Sequence, residues 1–446
     1  MAQISYIKYK DVLEARRYDA EYFKPEYLII NSNLKKLNSK DLDNYCFFIK
    51  KGIFDISPTK YKKHGIPFLR VSNTKSFFIN DEDMVYLDEE THKENNKTEL
   101  RKGDIVLSKV GTIGDAVINL DYEKVNFSQN NVGIKIKQDE INSAYVIAFF
   151  NSKYGRKQIE KQQSGQVQEK IVLDDIKFLK IPRLNNEELI ASKVIESKQK
   201  QTQSKQLYRE AEELLLAELG LLDYQVIHSL TFSTTKKAIE EAHRYDSEYF
   251  QPKYAEIIKK IEKYDSGWDL VKNAIHFKDK NFTPKVDQKY KYLALSNISS
   301  QGYIQDYQEE FGKDLPSRAR RKINTDDLII SSIEGSLSSC ALVEKEFDNS
   351  ICSTGFFVLN SEKINSETLL ILFKSLVIQE LLQRGSKGTI LTAISKTELE
   401  SIKIPLIKPS IQKQIAEKIQ ESHKLRKESK ELLDEAKRRV EEEIEK

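Results

Sequence analysis

An eleven-residue stretch of this chain is written twice. Arg17-Tyr18-Asp19-Ala20-Glu21-Tyr22-Phe23-Lys24-Pro25-Glu26-Tyr27 returns as Arg244-Tyr245-Asp246-Ser247-Glu248-Tyr249-Phe250-Gln251-Pro252-Lys253-Tyr254, identical at eight of eleven positions after a shift of 227. A segment mixing Arg, Tyr, Asp, Glu, Phe and Pro does not recur so closely by chance, so any fold for this chain has to be built from two similar halves. With small gaps the match continues. Phe68-Leu69-Arg70-Val71-Ser72-Asn73 lines up with Tyr292-Leu293-Ala294-Leu295-Ser296-Asn297, and Lys102-Gly103-Asp104-Ile105-Val106-Leu107-Ser108-Lys109-Val110 with Thr325-Asp326-Asp327-Leu328-Ile329-Ile330-Ser331-Ser332-Ile333. Ser164-Gly165 meets Lys387-Gly388, Ile181-Pro182 meets Ile404-Pro405, and Lys205-Gln206-Leu207-Tyr208-Arg209-Glu210-Ala211 meets Lys430-Glu431-Leu432-Leu433-Asp434-Glu435-Ala436. The halves differ most where side chains would meet a target.

At 446 residues, the usual size prior allows about three domains, and the repeat reduces this to two globular units with appendages. A membrane span is not expected, because the longest apolar run, near Ile147-Ala148-Phe149-Phe150, falls far short of the roughly 20 residues needed, and the N-terminus shows no apolar signal segment. Cys46, Cys340 and Cys352 are an odd number without metal-type spacing, so they read as reduced small hydrophobes of a cytoplasmic protein. A net charge of +3 argues against a nonspecific nucleic-acid coat but permits local basic faces.

Taken in order, Pro25 suits the first turn of a short helix through Ile29-Ile30. From about 42 to 140 the pattern turns to short strands, among them Ile66 to Val71, Asp104 to Ser108 and Asn131 to Lys137, punctuated by Gly, Asn and Asp. Residues 143–162 return to helix, and a further strand ends at Ile181-Pro182. From 185 to 222 there is no Pro, and no Gly before Gly220, so one long helix is predicted. Its stripe runs Ile190, Val194, Ser197, Gln201, Ser204, Tyr208, Ala211, Leu215, apolar at both ends and polar in the middle. The segment from Pro409 repeats the habit, with Ile411, Ile415, Ile419, then Ser422, Arg426, Ser429, then Leu433, Ala436, Val440, Ile444. Antiparallel pairing matches apolar ends and polar middles. Parallel pairing would match them too, but a quasi-two-fold closure makes antiparallel the simpler arrangement. Each helix would reach about 50 Å, enough to hold two modules about one DNA turn apart. The expected class is α+β: a first mixed α/β unit at 1–184, a central long spacer helix at 185–222, a second such unit at 223–408 and a C-terminal long spacer helix at 409–446.

Catalytic motifs are absent from the sequence. Neither a Gly-x-x-x-x-Gly-Lys-Ser/Thr loop nor a Gly-x-Gly-x-x-Gly run occurs. The six histidines stand apart, so no metal site is expected. Nuclease-like Glu-x-Lys triplets occur at Glu196-Ser197-Lys198 and Glu435-Ala436-Lys437, both on the long charged helices, where a solvated face accounts for them. No amino-methyltransferase tetrad of Asn or Asp, Pro, Pro and an aromatic appears.

Candidate DNA-reading residues gather in loops that recur in both halves. Ser72-Asn73-Thr74-Lys75 and the run Ser108-Lys109-Val110-Gly111-Thr112-Ile113-Gly114 follow strands in the first. Their counterparts are Ser296-Asn297-Ile298-Ser299-Ser300 and the run from Ser331 and Ser332 through Ser336 to Ser339. Glycine lets a backbone approach a phosphate or base, and Ser, Thr, Asn and Lys supply hydrogen bonds. A turn held by its own side chains explains any single loop equally well; recurrence with altered side chains is what a reader of two different half-sites requires. Lys60, Lys62, Lys63 and His64, and Arg318, Arg320, Arg321 and Lys322, are candidates for phosphate contacts. Arg70, Asn73, Lys109 and Asn297 are candidates for base edges. The repeated Arg-Tyr-Asp-x-Glu-Tyr-Phe element reads as structural, its Arg and Asp paired and its rings anchoring the segment to the long helix.

The paired Arg-Tyr-Asp-x-Glu-Tyr-Phe-x-Pro elements, the Gly-Asp-Ile-Val-Leu-Ser-x-x-Gly-Thr-x-Gly run at 103–114, the Ile-Pro before each long helix and the helices themselves resemble type I restriction-modification specificity subunits. The resemblance implies two target-recognition domains reading a split double-stranded DNA sequence across an antiparallel two-helix spacer. It also implies docking of two methyltransferase subunits and of two ATP-dependent restriction subunits. S-adenosylmethionine, ATP and Mg²⁺ would then belong to those partners, and this chain would carry no cofactor. The second half departs from the pattern, with Ser331-Ser332-Ile333-Glu334-Gly335-Ser336 in place of the Gly-Thr-x-Gly loop. Two other readings compete: a restriction-enzyme subunit with its own nuclease site, and a scaffold that binds only proteins through its coiled coil.

Overall fold

The computed structural model describes residues 4–15, 17–163, 170–299, 301–387 and 392–446. Of the sequence matches and candidate loops, Ser164-Gly165, Gly388 and Ser300 lie outside the described residues. The chain divides into two compact units, Met1–Gln201 with Arg426–Lys446, and Thr202–Leu425.

The first unit is built on two sheets. One has the strand order Cys46–Lys51, Asn131–Ile136, Ile105–Ser108, Ala116–Ile118, Thr74–Ile79. The other runs Val85–Leu87, Ile66–Leu69, Lys124–Phe127, Leu100–Arg101. Ile105–Ser108 lies between two neighbours and is buried at all four positions, which is why its sequence is an unbroken apolar run ending in one serine. Helix Ser143–Asn151 is buried along its whole length and shares one core with the larger sheet. The helix expected over 143–162 is in fact two, because Ser152 interrupts it: its Oγ donates to the Phe149 carbonyl at 2.7 Å and accepts from Gly155 N–H, capping the next helix, Lys153–Gln162.

The second unit repeats this plan with one strand fewer among the described residues. Its first sheet has the order His276–Phe277, Phe356–Asn360, Leu328–Ser331, Cys340–Leu342, and its second Gln308–Phe311, Lys289–Leu293, Ile351–Ser353, Ala319–Lys322. The two parallel pairings match as well, Leu69 opposite Phe127 and Leu293 opposite Cys352. The counterpart of strand Thr74–Ile79 is reduced among the described residues to a bridge between Ile298 and Ile304. A small antiparallel pair closes each unit, Ser39–Asp41 on Lys180–Pro182 and Trp268–Leu270 on Lys403–Pro405, so both Ile-Pro matches fall on one strand type.

The repeated element has one structure in both places. A 3-10 turn, Ala20–Phe23 or Glu248–Phe250, leads into a helix that begins at the proline, Pro25–Lys36 or Pro252–Glu262. Arg17 pairs with Asp19 at 2.7 Å and Arg244 with Asp246 at 2.6 Å, as the sequence suggests. Each arginine also lies over the ring of the tyrosine five residues on, at 4.9 Å from Tyr22 and 4.7 Å from Tyr249. The far anchor is a short helix of the same unit rather than the long helix expected. Lys161 of Lys153–Gln162 sits 4.1 Å from the Tyr22 ring, and Arg384 of Leu376–Gly385 sits 4.1 Å from the Tyr249 ring.

Glu187–Glu218 and Pro409–Glu445 are continuous helices of 32 and 37 residues, and each unit holds part of both. In the first unit Lys193 pairs with Glu435, Ser197 with Ser429 and Lys200 with Glu428, so the segments run antiparallel. In the second, Ser204 with Ser422, Glu210 with Lys418 and Glu218 with Lys408 give the same direction. Both serine pairs are buried, each hydroxyl within 2.9 Å of its partner. The apolar ends of the stripes join the globular cores: Ile190, Val194, Ala436, Val440 and Ile444 in the first unit, Tyr208, Ala211, Leu215, Ile415 and Ile419 in the second.

Cys46, Cys340 and Cys352 are free and buried, and burial raises all three thiols well above the ordinary range, to about 12 for Cys46 and Cys340. Among the described residues no helix is long and apolar enough to cross a membrane.

Candidate nucleic-acid interface

In the first unit, strand Ile66–Leu69 passes through the 3-10 turn Val71–Asn73 into strand Thr74–Ile79. Asn73 makes that turn. It is fully buried; its Oδ1 accepts the Arg70 N–H at 3.0 Å and its Nδ2 donates to the Asn80 and Glu82 carbonyls at 2.9 and 3.1 Å. The guanidinium of Arg70 donates to the Asp83 carbonyl, while its Nε is buried without a partner. Beyond strand Ile105–Ser108 the chain turns through Gly111 and Gly114, at φ of +80° and +85°, a region glycine enters at little cost. Ser108 is fully buried and donates to the Thr112 carbonyl, tying the loop shut. The two loops are neighbours: a Cβ on Gly111 would stand 3.7 Å from Val71.

Cations collect beside the second loop. Lys109 is half-buried, and its ammonium is held below the ordinary lysine range by burial and then by the like charges of Lys51 and Lys170. The three come from separate places: the end of strand Cys46–Lys51, the loop after Ile105–Ser108, and the segment that bridges Val110. Three lysines gathered at one loop offer a surface suited to an anion. Thr112 and Lys75 are exposed. Of the upstream basic cluster, Lys60 and Lys62 are partly neutralised by Glu94 and Asp88 at 3.6 and 3.8 Å, whereas Lys63 and His64 stand exposed.

The second unit builds the same first turn, Leu295–Asn297, with Asn297 Oδ1 accepting the Ala294 N–H at 2.8 Å and Ser296 exposed. Its other loop is closed differently. Ser331 and Ser336 share a hydrogen bond at 2.8 Å, Ser336 also donates to the Ile333 carbonyl, and Ser332 donates to the Gly355 carbonyl from both its N–H and its hydroxyl. Serine pairs thus replace the glycine turn. On strand Ala319–Lys322, Arg318, at its leading edge, is exposed, Arg320 donates to the Ser317 carbonyl at 3.1 Å, and Arg321 keeps Nε and Nη1 buried without a protein partner.

These placements correct part of the sequence reading. Asn73 and Ser108 are spent inside the fold and have no free edge to offer a base, because the turn and loop they close would otherwise leave backbone groups unpaired. Ser332 and Ser336 hold their own loop. Lys63, Lys75, Lys109, Thr112, Ser296 and Arg318 keep exposed or half-exposed side chains. Lys51 and Lys170 were missed; lying 58 and 61 residues from Lys109, they give no local signal. Three of the charged Glu-x-Lys residues are engaged: Lys198 with Asp121 of a loop in the first unit, Glu435 with Arg439 and Lys437 with Asp434, each at 2.7 Å. Among the described residues no group of His, Cys, Asp and Glu is placed to hold a metal ion.

Residues 276–437 match the family described as type I restriction modification DNA specificity domain. Three solved chains are similar along most of their length. One is the S subunit of a type I restriction-modification system from M. genitalium, at 16% identity and a TM-score of 0.44 over 92% of this chain and 96% of that one. Another comes from work on complex assembly and conformational transition of the type I R-M system, at 13% identity and 0.29 over 92% and 96%. The third is the HsdS subunit from Thermoanaerobacter tengcongensis, at 12% identity and 0.27 over 90% and 96%. At these scores the three likenesses do not bear on function; the family match over 276–437 does.

Proposed function

We propose that this chain, whose residues 276–437 form a type I restriction modification DNA specificity domain, is the DNA specificity subunit of a type I restriction-modification complex, each unit reading one part of a gapped, two-part target. The observation that carries the reading is the repeat: both units share one strand order while the loops at matching places carry different side chains. A protein that reads two different short sequences needs that combination, one scaffold and two sets of contacts.

In this reading Lys51, Lys109 and Lys170 hold phosphates of the first half-site and Arg318 and Arg321 those of the second, fixing register without reading sequence. Lys75 and Thr112 in the first unit and Ser296 in the second are then the residues left to meet base edges. The chain does no covalent chemistry of its own. S-adenosylmethionine, ATP and Mg²⁺ belong to two methyltransferase and two restriction subunits that assemble with it in the cytoplasm. Three of the four charged Glu-x-Lys side chains are held in ion pairs, Lys198, Glu435 and Lys437, which supports a structural reading of those triplets over a nuclease one.

The test is adenine methylation mapped across the host genome with and without this gene. Loss at one gapped motif is expected; an unchanged map overturns the proposal. Exchanging residues 42–182 for the matching segment of another family member should alter one half of the motif and leave the other.

A further inference from the structure

Away from the loops, the first unit contains a cleft of about 620 Å³ lined by Asp11, Tyr22, Phe23, Asn31, Lys35 and Lys161, among others. Its floor is unusual chemically. Lys161 is buried, with only 8% of its surface exposed, and it lines the cleft. Its ammonium stands 4.1 Å from the Tyr22 ring, and it forms neither an ion pair nor a hydrogen bond with any described residue. Of the acids nearby, Glu26 and Glu160 are taken by Lys157 at 3.2 and 2.8 Å and Asp19 by Arg17, while Asp175 faces Arg17 and Tyr22. Instead its neighbours are like charges. Burial, then Lys35 and Arg17, lower its ammonium to about 8. Lys35 and Lys36, also in the lining, make no ion pair with a described residue, and Asp11 is the one carboxylate there.

Lysines in the last turn of a helix complement its dipole, which accounts for exposed Lys35 and Lys36. It does not account for a third lysine, Lys161, sunk to 8% exposure in the lining beside them without an ion pair to any described residue. The second unit is the internal control. There the matching cation, Arg384, covers Tyr249 just as closely and is satisfied, donating from Nε to the Tyr249 carbonyl at 3.1 Å. At the position of Lys35 stands Glu262, ion-paired with Lys403. The scaffold therefore needs a cation over the ring but not an unpartnered one, nor a second lysine beside it.

We propose that this cleft is a binding site for a small phosphorylated anion, of a size up to that of a mononucleotide. The volume lies within the usual range for small-molecule sites. Lysine serves phosphate as a point charge, and Tyr22, Phe23 and Leu28 provide an apolar wall for the body that carries it. The site is independent of the DNA-reading assignment.

The experiment is thermal unfolding of the full chain with increasing pyrophosphate or AMP. A saturable rise in unfolding temperature is expected, abolished in Lys161→Met, which removes a buried charge and keeps the side-chain length. Lys35→Glu, which restores the second unit's residue, should weaken binding about tenfold or more, the size of one lost charge-assisted hydrogen bond. Lys272→Ala, an exposed position of the second unit, should leave the rise intact. The absence of a saturable rise, or a rise that Lys161→Met does not change, overturns the proposal. So does protection by a short arbitrary DNA duplex that is as strong per phosphate and also lost in Lys161→Met, which would assign the cleft to DNA backbone.

Discussion

The cores of the two units solve one packing problem with opposite choices. In the first, the Phe127 ring covers Gly133 so closely that a Cβ there would lie 2.2 Å from it. In the second, the matching positions are Cys352 and Val358, members of one buried cluster. A large residue over none has been exchanged for two of middling size. The strands are unchanged because the summed volume is nearly kept, which a close-packed interior demands and individual identities do not. Loops face no such constraint, so the units can share a framework and differ freely where a ligand would be met.

That comparison can be broken most severely at Gly133. Gly133→Val should cost about 3 kcal/mol or more through overpacking, and Gly133→Val with Phe127→Cys should recover most of it. Denaturant titration of both variants decides; a double variant as unstable as the single one would mean the cores do not correspond. Asn73→Ala should cost about 2 to 3 kcal/mol because it strands three buried backbone groups, and Asn297→Ala about 1, since one bond to its side chain is lost. Equal losses would show that the two turns depend on their asparagines alike. In DNA binding by the assembled complex, Lys109→Ala should lower the salt-dependence slope by about 1. Lys62→Ala, already paired with Asp88, should change it less.

The smallest effect concerns pH. Lys161 is held near 8 in the folded protein against an ordinary 10.5, so between those values the unfolded chain binds a proton that the folded one does not, and stability rises with pH. The groups that face it are Asp11, Arg17, Tyr22, Lys35 and Lys36, with Asp19 and Asp175 beside Tyr22; burial pushes Tyr22 upward, which works against the rise only toward pH 10, where a tyrosine of the unfolded chain begins to lose its proton. A Lys161→Met chain should lose this part of the rise in an unfolding series from pH 7 to 10.

Much of the framework was legible because periodicity and identity are local properties. The run Ile105 to Ser108 and its copy at Leu328 to Ser331 are central strands, Ile181-Pro182 and Ile404-Pro405 lie on equivalent strands, and the stripes of the long helices mark the residues that pair. Direction within each helix pair was not fixed by the stripes, which are symmetric end to end. The site was legible only in outline. Asn73 has the composition of a DNA reader and the burial of a turn residue, and composition cannot tell these apart. Lys51, Lys109 and Lys170 are brought together by strand pairing, a property of the fold and not of any window of sequence.

Ala436, Val440 and Ile444 complete the core of the first unit, whose other members end at Val194. On the ribosome this unit therefore cannot close when its own stretch of chain has emerged. It waits, with Ile190 and Val194 uncovered, while more than two hundred further residues are made and the second unit assembles. The first half to be synthesised is thus the last to be finished, since its core is complete only once residues 436–444 have joined it. A chain truncated before residue 436 would carry an exposed apolar seam that quality-control proteases can recognise.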